Sequence, residues 1–205
     1  TINMFTGIIE EVGEIVALEQ YNGDMKLRVN TNQLDISKIQ LGDSIATNGV
    51  CLTVARLCQD GFESDVSSET LSVTSIENWS IGSKVNLERS LTIDMRLGGH
   101  LVLGHVDGIG EILDRFPDAR SERFRVGAPA ELAKYIAQKG SITVDGISLT
   151  VNKVEGSEFE LNIVPWTLEH TVMNTYQKGT KVNLEVDVIA RYVERLMLGE
   201  VAITN

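Results

Sequence analysis

Short segments in which apolar and polar residues alternate recur along most of this 205-residue chain. In the first half they fall at residues 8–16, 26–29, 44–46, 51–57, 62–66 and 84–88. Turn-forming pairs such as Asn22-Gly23 and Asp60-Gly61 separate them, which is typical of β-strands joined by tight turns. Five or six short strands in roughly 90 residues must hide their edges, which favours a small closed or Greek-key barrel.

The second half of the chain repeats the first. NGVCLTV at 48–54 matches DGISLTV at 145–151, and KVNLE occurs at both 84–88 and 181–185. Every pair is offset by 97 positions without an insertion, which indicates a duplicated module. We therefore predict an all-β protein with short helices: two tandem Greek-key six-stranded β-barrels, at residues 4–97 and 98–186, and a C-terminal helix. The domain boundary is expected near residues 93–99, where Gly98-Gly99 loosens the chain.

One segment inside the second copy departs from the strand pattern. Leu132 and Ile136 are four residues apart and follow Pro129, a residue that is common at the start of helices. This spacing predicts a short helix over residues 130–138.

The end of the chain also changes pattern. Ile189, Val193 and Leu196 form an apolar stripe with the four-then-three spacing of a coiled-coil seam. We predict that residues 187–200 form an oligomerisation helix that pairs with copies of itself. The alternative is a helix folded back on its own barrel.

Composition limits the partners and the compartment. The chain has 29 acidic and 18 basic residues and a net charge of −11, which disfavours nucleic acid and anionic lipid as partners. The simplest role of the charge is solubility. Two cysteines are too few for a disulfide framework or a structural zinc site. Without a signal peptide or an apolar run of ~18–20 residues, a cytoplasmic location is predicted.

The two copies differ at a position that can carry chemistry. Cys51 stands where the second copy has Ser148, and each is followed two residues later by a threonine, Thr53 or Thr150, on the same strand face. On residue type alone, Cys51 is more often a small core residue than a nucleophile. The hydroxyls of the second copy are equally consistent with hydrogen bonds to the backbone or to a heterocycle.

His105 marks a second difference between the copies. It is one of three histidines, and it occupies the position of Ile8 in the first copy. The repeat supplies no structural reason for an ionisable group there, and histidine exchanges protons near neutral pH. We regard His105 as a candidate for proton transfer, and a structural or exposed histidine is the alternative.

Several segments resemble the riboflavin synthase family. They are MFTGIIE at 4–10, NGVCLTV at 48–54, GGHLVLGHVDG at 98–108, DGISLTV at 145–151 and PWTLE at 165–169. The resemblance extends from residue 4 to residue 198, in the order and at the spacing of the family. The opening heptapeptide and the Gly-Gly-His segment are its specific signals.

The resemblance implies a homotrimeric transferase that uses neither a cofactor nor a metal. Two molecules of 6,7-dimethyl-8-ribityllumazine undergo a dismutation, in which a four-carbon unit passes from one to the other. The products are riboflavin and 5-amino-6-ribitylamino-pyrimidinedione. In the family each barrel binds one lumazine, and the active site lies between the first barrel of one subunit and the second barrel of its neighbour.

By this resemblance the catalytic residues are His105, Ser148, Cys51 and Thr150. The implied substrate-binding residues come from matching segments of both copies and are Gly7, Ile8, Ile9, Ser44, Cys51, Leu52, Thr53, Asp65, Val66, Ser67, Ser68, Glu69, Thr70, Gly104, His105, Val106, Lys139, Ser148, Leu149, Thr150, Val164, Pro165, Trp166, Thr167, Leu168 and Glu169. Lys139 has the alternative of a solvated surface lysine. Asp145 either anchors a turn, like its counterpart Asn48, or orients Ser148.

Two other functions compete with this interpretation. A non-catalytic lumazine- or flavin-binding antenna protein would use the same duplicated barrel, but such relatives lose the cysteine and histidine positions that this chain keeps. The flavin-binding barrel of a reductase is disfavoured because the chain lacks a Gly-rich βα unit for nucleotide binding.

Overall fold

The first half of the chain folds into one antiparallel sheet. The structure is a computed structural model that describes residues 4–202, with side chains as far as residue 199. The strands follow the alternating segments of the sequence and are β1 (Glu11–Tyr21), β2 (Asp24–Asn30), β3 (Ser44–Thr47), β4 (Val50–Thr53), β5 (Arg56–Cys58), β6 (Gly61–Val66) and β7 (Lys84–Arg89). Their order in this seven-stranded sheet is β4-β3-β7-β1-β2-β6-β5.

The second half repeats this arrangement and closes it. Its strands are β8 (Gly108–Asp118), β9 (Ser121–Gly127), β10 (Ser141–Val144), β11 (Ile147–Glu155), β12 (Glu158–Ile163) and β13 (Lys181–Val186). They form a closed barrel in the order β10-β11-β12-β9-β8-β13. Closure comes from β11, which pairs with both β10 and β12. The first half divides the same stretch into β4 and β5, and its ring stays open between them. The predicted fold class is confirmed, although the first half has seven strands rather than six.

Short helices connect the strands in both halves. The α-helices are α1 (Ser68–Val73), α2 (Pro165–His170) and α3 (Val188–Ala202), and 3₁₀ helices span Ile36–Lys38, Ser75–Asn78, Ala130–Tyr135 and Val172–Thr175. The helix predicted at 130–138 is therefore a shorter 3₁₀ helix, although Leu132 and Ile136 are buried as their spacing requires. The sequence did not predict α1 and α2. Among residues 4–202, none of the helices has the length and hydrophobicity that a membrane span requires.

Each half buries a hydrophobic core of its own. Inward-facing residues alternate along the strands, so that Leu27 and Phe62 lie in the first core and Phe124 and Phe159 lie in the second. All four are fully buried or nearly so. Burial of a large apolar side chain contributes about 1.5–3 kcal/mol, so each core supplies much of the stability of its half. The bounds predicted for the two domains stay a prediction.

Reciprocal hydrogen bonds join the two halves at the turns that begin with Asn48 and Asp145. Nδ2 of Asn86 donates to the carbonyl of Asp145 at 3.0 Å, and Nδ2 of Asn183 donates to the carbonyl of Asn48 at 2.8 Å. Both turns require left-handed backbone, with φ of 44° at Asn48 and 46° at Asp145. Asn and Asp tolerate that conformation better than most residues. The polar turn residues of the repeat therefore form the contact between its copies.

Asp145 is fully buried in this contact. Its carboxylate accepts hydrogen bonds from the backbone N–H of Asn183 at 2.8 Å and from the hydroxyl of Tyr176. These partners agree with the turn role predicted for Asp145, because neither of them belongs to the strand that carries Ser148. Burial raises the pKa of Asp145 to about 7, although both hydrogen bonds act in the opposite direction. The folded protein therefore holds a proton at pH values where the unfolded chain has released it.

This difference predicts a pH-dependent stability. The unfolded aspartate loses its proton near pH 4 and the folded one near pH 7, so the stability contributed by Asp145 falls as the pH rises through that window. We expect Asp145→Asn to raise the unfolding free energy at pH 8 by on the order of 2 kcal/mol and to change it little at pH 4. Urea unfolding at both pH values measures the effect. Asn48→Asp, which places the acid in the other copy, is the matched control and should destabilise at pH 8.

Candidate active sites

The segments that begin the two copies are exchanged, so that each one packs against a strand of the other copy. Gly7 belongs to the first copy, but its carbonyl accepts a hydrogen bond at 2.8 Å from the backbone N–H of Ser148 in β11. Its counterpart Gly104 accepts one at 2.9 Å from the backbone N–H of Cys51 in β4. Each candidate strand is therefore covered by the segment that begins the other copy. His105 consequently lies beside the strand of Cys51, while Ile8 lies beside that of Ser148.

Glycine is required at these contacts. Gly7 and Gly104 have φ of 76° and 72°, in the left-handed region. A Cβ atom on Gly7 would lie 2.5 Å from Cβ of Ser148, and one on Gly104 would lie 2.7 Å from Cβ of Cys51. Gly99 has a similar role, because its Cβ would lie 2.0 Å from the carbonyl oxygen of Thr6. Close packing, rather than a loosened chain as predicted, therefore accounts for Gly99.

Two buried glutamates hold the exchanged segments in place. Glu88 accepts hydrogen bonds from the backbone N–H groups of Thr6 at 2.6 Å and Gly7 at 2.9 Å, and its counterpart Glu185 accepts one from Leu103 at 2.7 Å. Burial raises the pKa of both carboxyl groups, to about 7 for Glu185, against the effect of the backbone hydrogen bonds. Neither glutamate was predicted as a site residue, although both end the KVNLE segment that is identical in the two copies.

The first candidate site is an open cavity of about 280 Å³ beside β4. Its lining comes from β4, α1 and the exchanged segment and consists of Val50, Cys51, Glu69, Thr70, Val73, Thr74, Gly104, His105 and Val106. The structure thus brings together Cys51, Thr70 and His105, which the sequence analysis had proposed separately.

Cys51 is partly buried on the outward face of β4, next to the small apolar cluster of Phe5, Ala46 and Val102. Burial raises the pKa of its thiol, and a hydrogen bond with Ser44 opposes this shift. A raised pKa favours the neutral thiol, so Cys51 is better suited to contact a bound ring than to attack it. Thr53 is exposed on the same face of the strand, as predicted.

The second candidate site lies on β11. Its distinguishing contact is a hydrogen bond of 2.7 Å between Nδ1 of His100 and Oγ of Ser148, with Thr150 two residues further along the strand. Burial lowers the pKa of His100, and the negative charge of Asp187 opposes this shift. An imidazole kept neutral beside a hydroxyl can accept or return its proton.

His100 was not among the residues predicted from the sequence. Its counterpart at an offset of 97 positions is Asn3, which lies outside the described residues. The Gly-Gly-His segment was noted only as a family signal, and nothing in the repeat connects it with Ser148. The contact depends on the exchange of segments, which is a tertiary feature.

The remaining predicted residues of the first site divide into two groups. The side chains of Leu52 and Val66 are buried in the first core, so these residues offer only their backbone to a ligand. Asp65 lines a separate cavity of about 430 Å³ together with Tyr21 and Met25. The predicted binding segment 65–70 therefore borders two cavities rather than one.

Two further predicted residues of the second copy are Lys139 and Trp166. The backbone N–H of Lys139 donates to the carbonyl of Val151 at 2.8 Å, which places Lys139 next to Thr150. In α2 the ring of Trp166 stacks on His170, with 3.7 Å between the ring centroids. Trp166 is 69% exposed and corresponds to Glu69 of the first site, so the two copies also differ at this position.

Comparisons with known proteins agree with this duplicated arrangement. The lumazine binding domain family matches residues 6–90 and again residues 103–187. The riboflavin synthase of Photobacterium phosphoreum is 47% identical over 195 residues, which cover 95% of this chain and 89% of that protein. The riboflavin synthase of Mycobacterium bovis is 48% identical over 198 residues, which cover 95% of this chain and 98% of that protein.

A solved structure has the same fold. The crystal structure of LumP complexed with 6,7-dimethyl-8-(1'-D-ribityl) lumazine superimposes with a TM-score of 0.81. The match covers 89% of this chain and 98% of LumP at 20% sequence identity. At that identity the likeness shows the fold alone.

Proposed function

Because the chain belongs to the riboflavin synthase family, a family of transferases, we propose that it catalyses the dismutation of 6,7-dimethyl-8-ribityllumazine. Two molecules react, a four-carbon unit passes between them, and riboflavin and 5-amino-6-ribitylamino-pyrimidinedione are formed. One observation carries this proposal: the chain presents two sites with matching backbone frames and different functional groups. A reaction between two identical molecules in unequal roles calls for such a pair of sites.

Proton transfer in this proposal is assigned to His105, and binding of the other lumazine is assigned to the hydroxyl groups of the second site. A lumazine in the first site has its acidic 7-methyl group within the reach of His105, which takes up the proton and later returns it. Ser148, with its hydrogen bond to His100, and Thr150 bind the second lumazine by its polar edge. Since the reaction consumes no net proton, each base must also serve as an acid.

We further propose that the working site forms between neighbouring subunits of a homotrimer, with the first site of one facing the second site of another. Ile189, Val193 and Leu196 of α3 are all exposed in the single chain, so the predicted seam is free to pair. The other edge of α3 contacts the second barrel of its own chain through Arg191 and Glu194. Both arrangements considered for this helix are thus compatible with one another.

The helix assignment predicts a change of assembly. Val193→Glu combined with Leu196→Glu places two charges in the apolar seam, and we expect the trimer to dissociate. Sedimentation velocity measures the mass of the particle at several protein concentrations. Lys178→Glu, on an exposed turn outside α3, is a control for added negative charge. A double variant that remains trimeric would contradict the assignment.

Incubation of the protein with the lumazine alone tests the function. We expect riboflavin to appear without an added cofactor, at one molecule for every two lumazines consumed. Tight binding of the lumazine without any product would instead support the antenna protein.

Both cysteines are free thiols, which supports the further proposal that the enzyme works in the cytosol.

A further inference from the structure

A different arginine holds each exchanged segment: one lies at the end of β7 and the other lies in α3. In the first copy, Glu10 accepts hydrogen bonds from the backbone N–H of Arg89 at 2.7 Å and from its Nη2 at 2.6 Å. Arg89 lies at the end of β7, so this ion pair is formed within the copy. The counterparts in the second copy are Asp107 and Val186, and valine cannot supply the charge.

The second copy obtains its arginine from α3. Asp107 still accepts a hydrogen bond of 2.7 Å from the backbone N–H of Val186, and its other oxygen pairs with the guanidinium of Arg191. The Asp107 side chain is only 9% exposed, so its charge is poorly screened by water. The helix therefore replaces a contact that the first copy makes by itself.

Asp107 is directly connected to the residues of the first site. It follows His105 by two positions, and its backbone N–H donates to the carbonyl of Leu184 at 2.8 Å. The carbonyl of Gly104 accepts a hydrogen bond of 2.9 Å from the backbone N–H of Cys51. Asp107 and Gly104 thus lie on either side of His105 in the chain, and their contacts hold the segment that carries it.

The second barrel holds Arg191 in turn. Its guanidinium lies 5.3 Å from the centroid of the Tyr135 ring, and one turn further along α3 Glu194 accepts hydrogen bonds from the Tyr135 hydroxyl and from Lys134. The docked position of α3 thus determines the position of the arginine.

We propose that Arg191 is a positioning residue for the first site, which fixes the segment carrying His105 through its ion pair with Asp107. This inference rests on the proposed function, because it assigns to His105 a geometry needed for turnover. The segment 4–10 at the second site is held by Arg89 and does not depend on α3. The C-terminal helix therefore affects the first site and leaves the second site unchanged.

Arg191→Ala tests the proposal, with Arg195→Ala as the matched control. Arg195 lies one turn away on α3 and makes no hydrogen bond or ion pair with the part of the chain whose side chains are described. We expect kcat to fall about tenfold in Arg191→Ala, with a smaller change in KM. Arg191→Lys should recover most of the rate because it keeps the charge beside Asp107, and Arg195→Ala should match the parent protein.

A readout independent of turnover is the reactivity of Cys51. In a Cys58→Ser background, a thiol reagent modifies Cys51 alone, and loosening of Gly104 should increase its rate of modification several-fold in Arg191→Ala. Asp107→Asn should give the same increase, and the double variant should add little to either. Rates of modification that equal those of Arg195→Ala would overturn the proposal.

Sedimentation separates positioning from assembly. If Arg191→Ala loses activity only because the trimer dissociates, then the seam variant that keeps Arg191 will show the same kcat and the same Cys51 reactivity, and the proposal is wrong. Absence of riboflavin from the parent protein would instead contradict the proposed function. The reactivity of Cys51 would still decide whether Arg191 positions the segment.

Discussion

His105→Ala is expected to lower kcat by about 100-fold or more, while the protein still folds and binds the lumazine. The imidazole lies in the first cavity with Cys51 and Thr70, and it is the one histidine of that lining. The thiol of Cys51 has a raised pKa because it is partly buried, so it is a poor proton acceptor at neutral pH. Removal of His105 therefore takes away the group best suited to accept the methyl proton.

Some activity should remain in this variant. Two lumazines held face to face react faster than free molecules because binding has already fixed their positions. Steady-state rates of riboflavin formation give kcat, and the fluorescence of the bound lumazine gives the affinity. Ile8→Ala is the matched control, since it truncates the equivalent side chain at the second site, and its effect on kcat should be much smaller. An unchanged kcat in His105→Ala would contradict the role of this residue.

Mixed trimers test whether His105 and Ser148 act together from different subunits. Neither His105→Ala nor Ser148→Ala alone contains a site with both residues. Co-expression places the variants in one trimer, where the first site of a Ser148→Ala subunit faces the second site of a His105→Ala subunit. Recovery of part of the activity would support a site between subunits. Failure to recover would indicate that both residues of a working site come from the same subunit.

The strands were predictable because their signals are local. In β2 and β6 every second residue enters the core, so the alternation of the sequence reports the buried face directly. The helices α1 and α2 span six residues each, which is too short for a helical period to appear. Their signals were the cap at Ser67, whose hydroxyl accepts from the Thr70 N–H at 3.2 Å, and Pro165 at the first turn.

The composition of each site was only partly predictable. Comparison of the copies pointed to Cys51 with Ser148, and to Ile8 with His105, as differences that can carry chemistry. It could not show that the segments are exchanged, because an offset of 97 positions states which residues correspond and not which ones touch. For that reason the pairing of His105 with Cys51, and of His100 with Ser148, emerged only from the structure.

Gly99→Ala is expected to destabilise the fold by about 3 kcal/mol or more and to abolish turnover. A methyl group on Gly99 would lie 2.0 Å from the carbonyl oxygen of Thr6 and 2.7 Å from Cβ of Ser148. The first contact is with backbone, so it cannot be relieved by a change of rotamer. The segment that begins the first copy must move away from β11.

The movement would remove several contacts together. The backbone N–H of His100 donates to the same carbonyl of Thr6 at 3.1 Å, and Nδ1 of His100 holds Ser148. Separation of the segment from the strand therefore breaks the hydrogen bond that defines the second site. Urea unfolding gives the loss of stability, and riboflavin formation gives the loss of turnover.

Gly98→Ala is the matched control for this prediction. A Cβ atom at Gly98 would first meet Cγ1 of Ile8 at 3.2 Å, and that side chain can turn aside. We expect a loss of less than about 1 kcal/mol and a turnover close to that of the parent protein. If the two glycine variants were equally mild, the close contact at Gly99 would not be what holds the exchanged segment. If they were equally severe, the effect would come from backbone freedom of the Gly-Gly pair, as the sequence alone suggested.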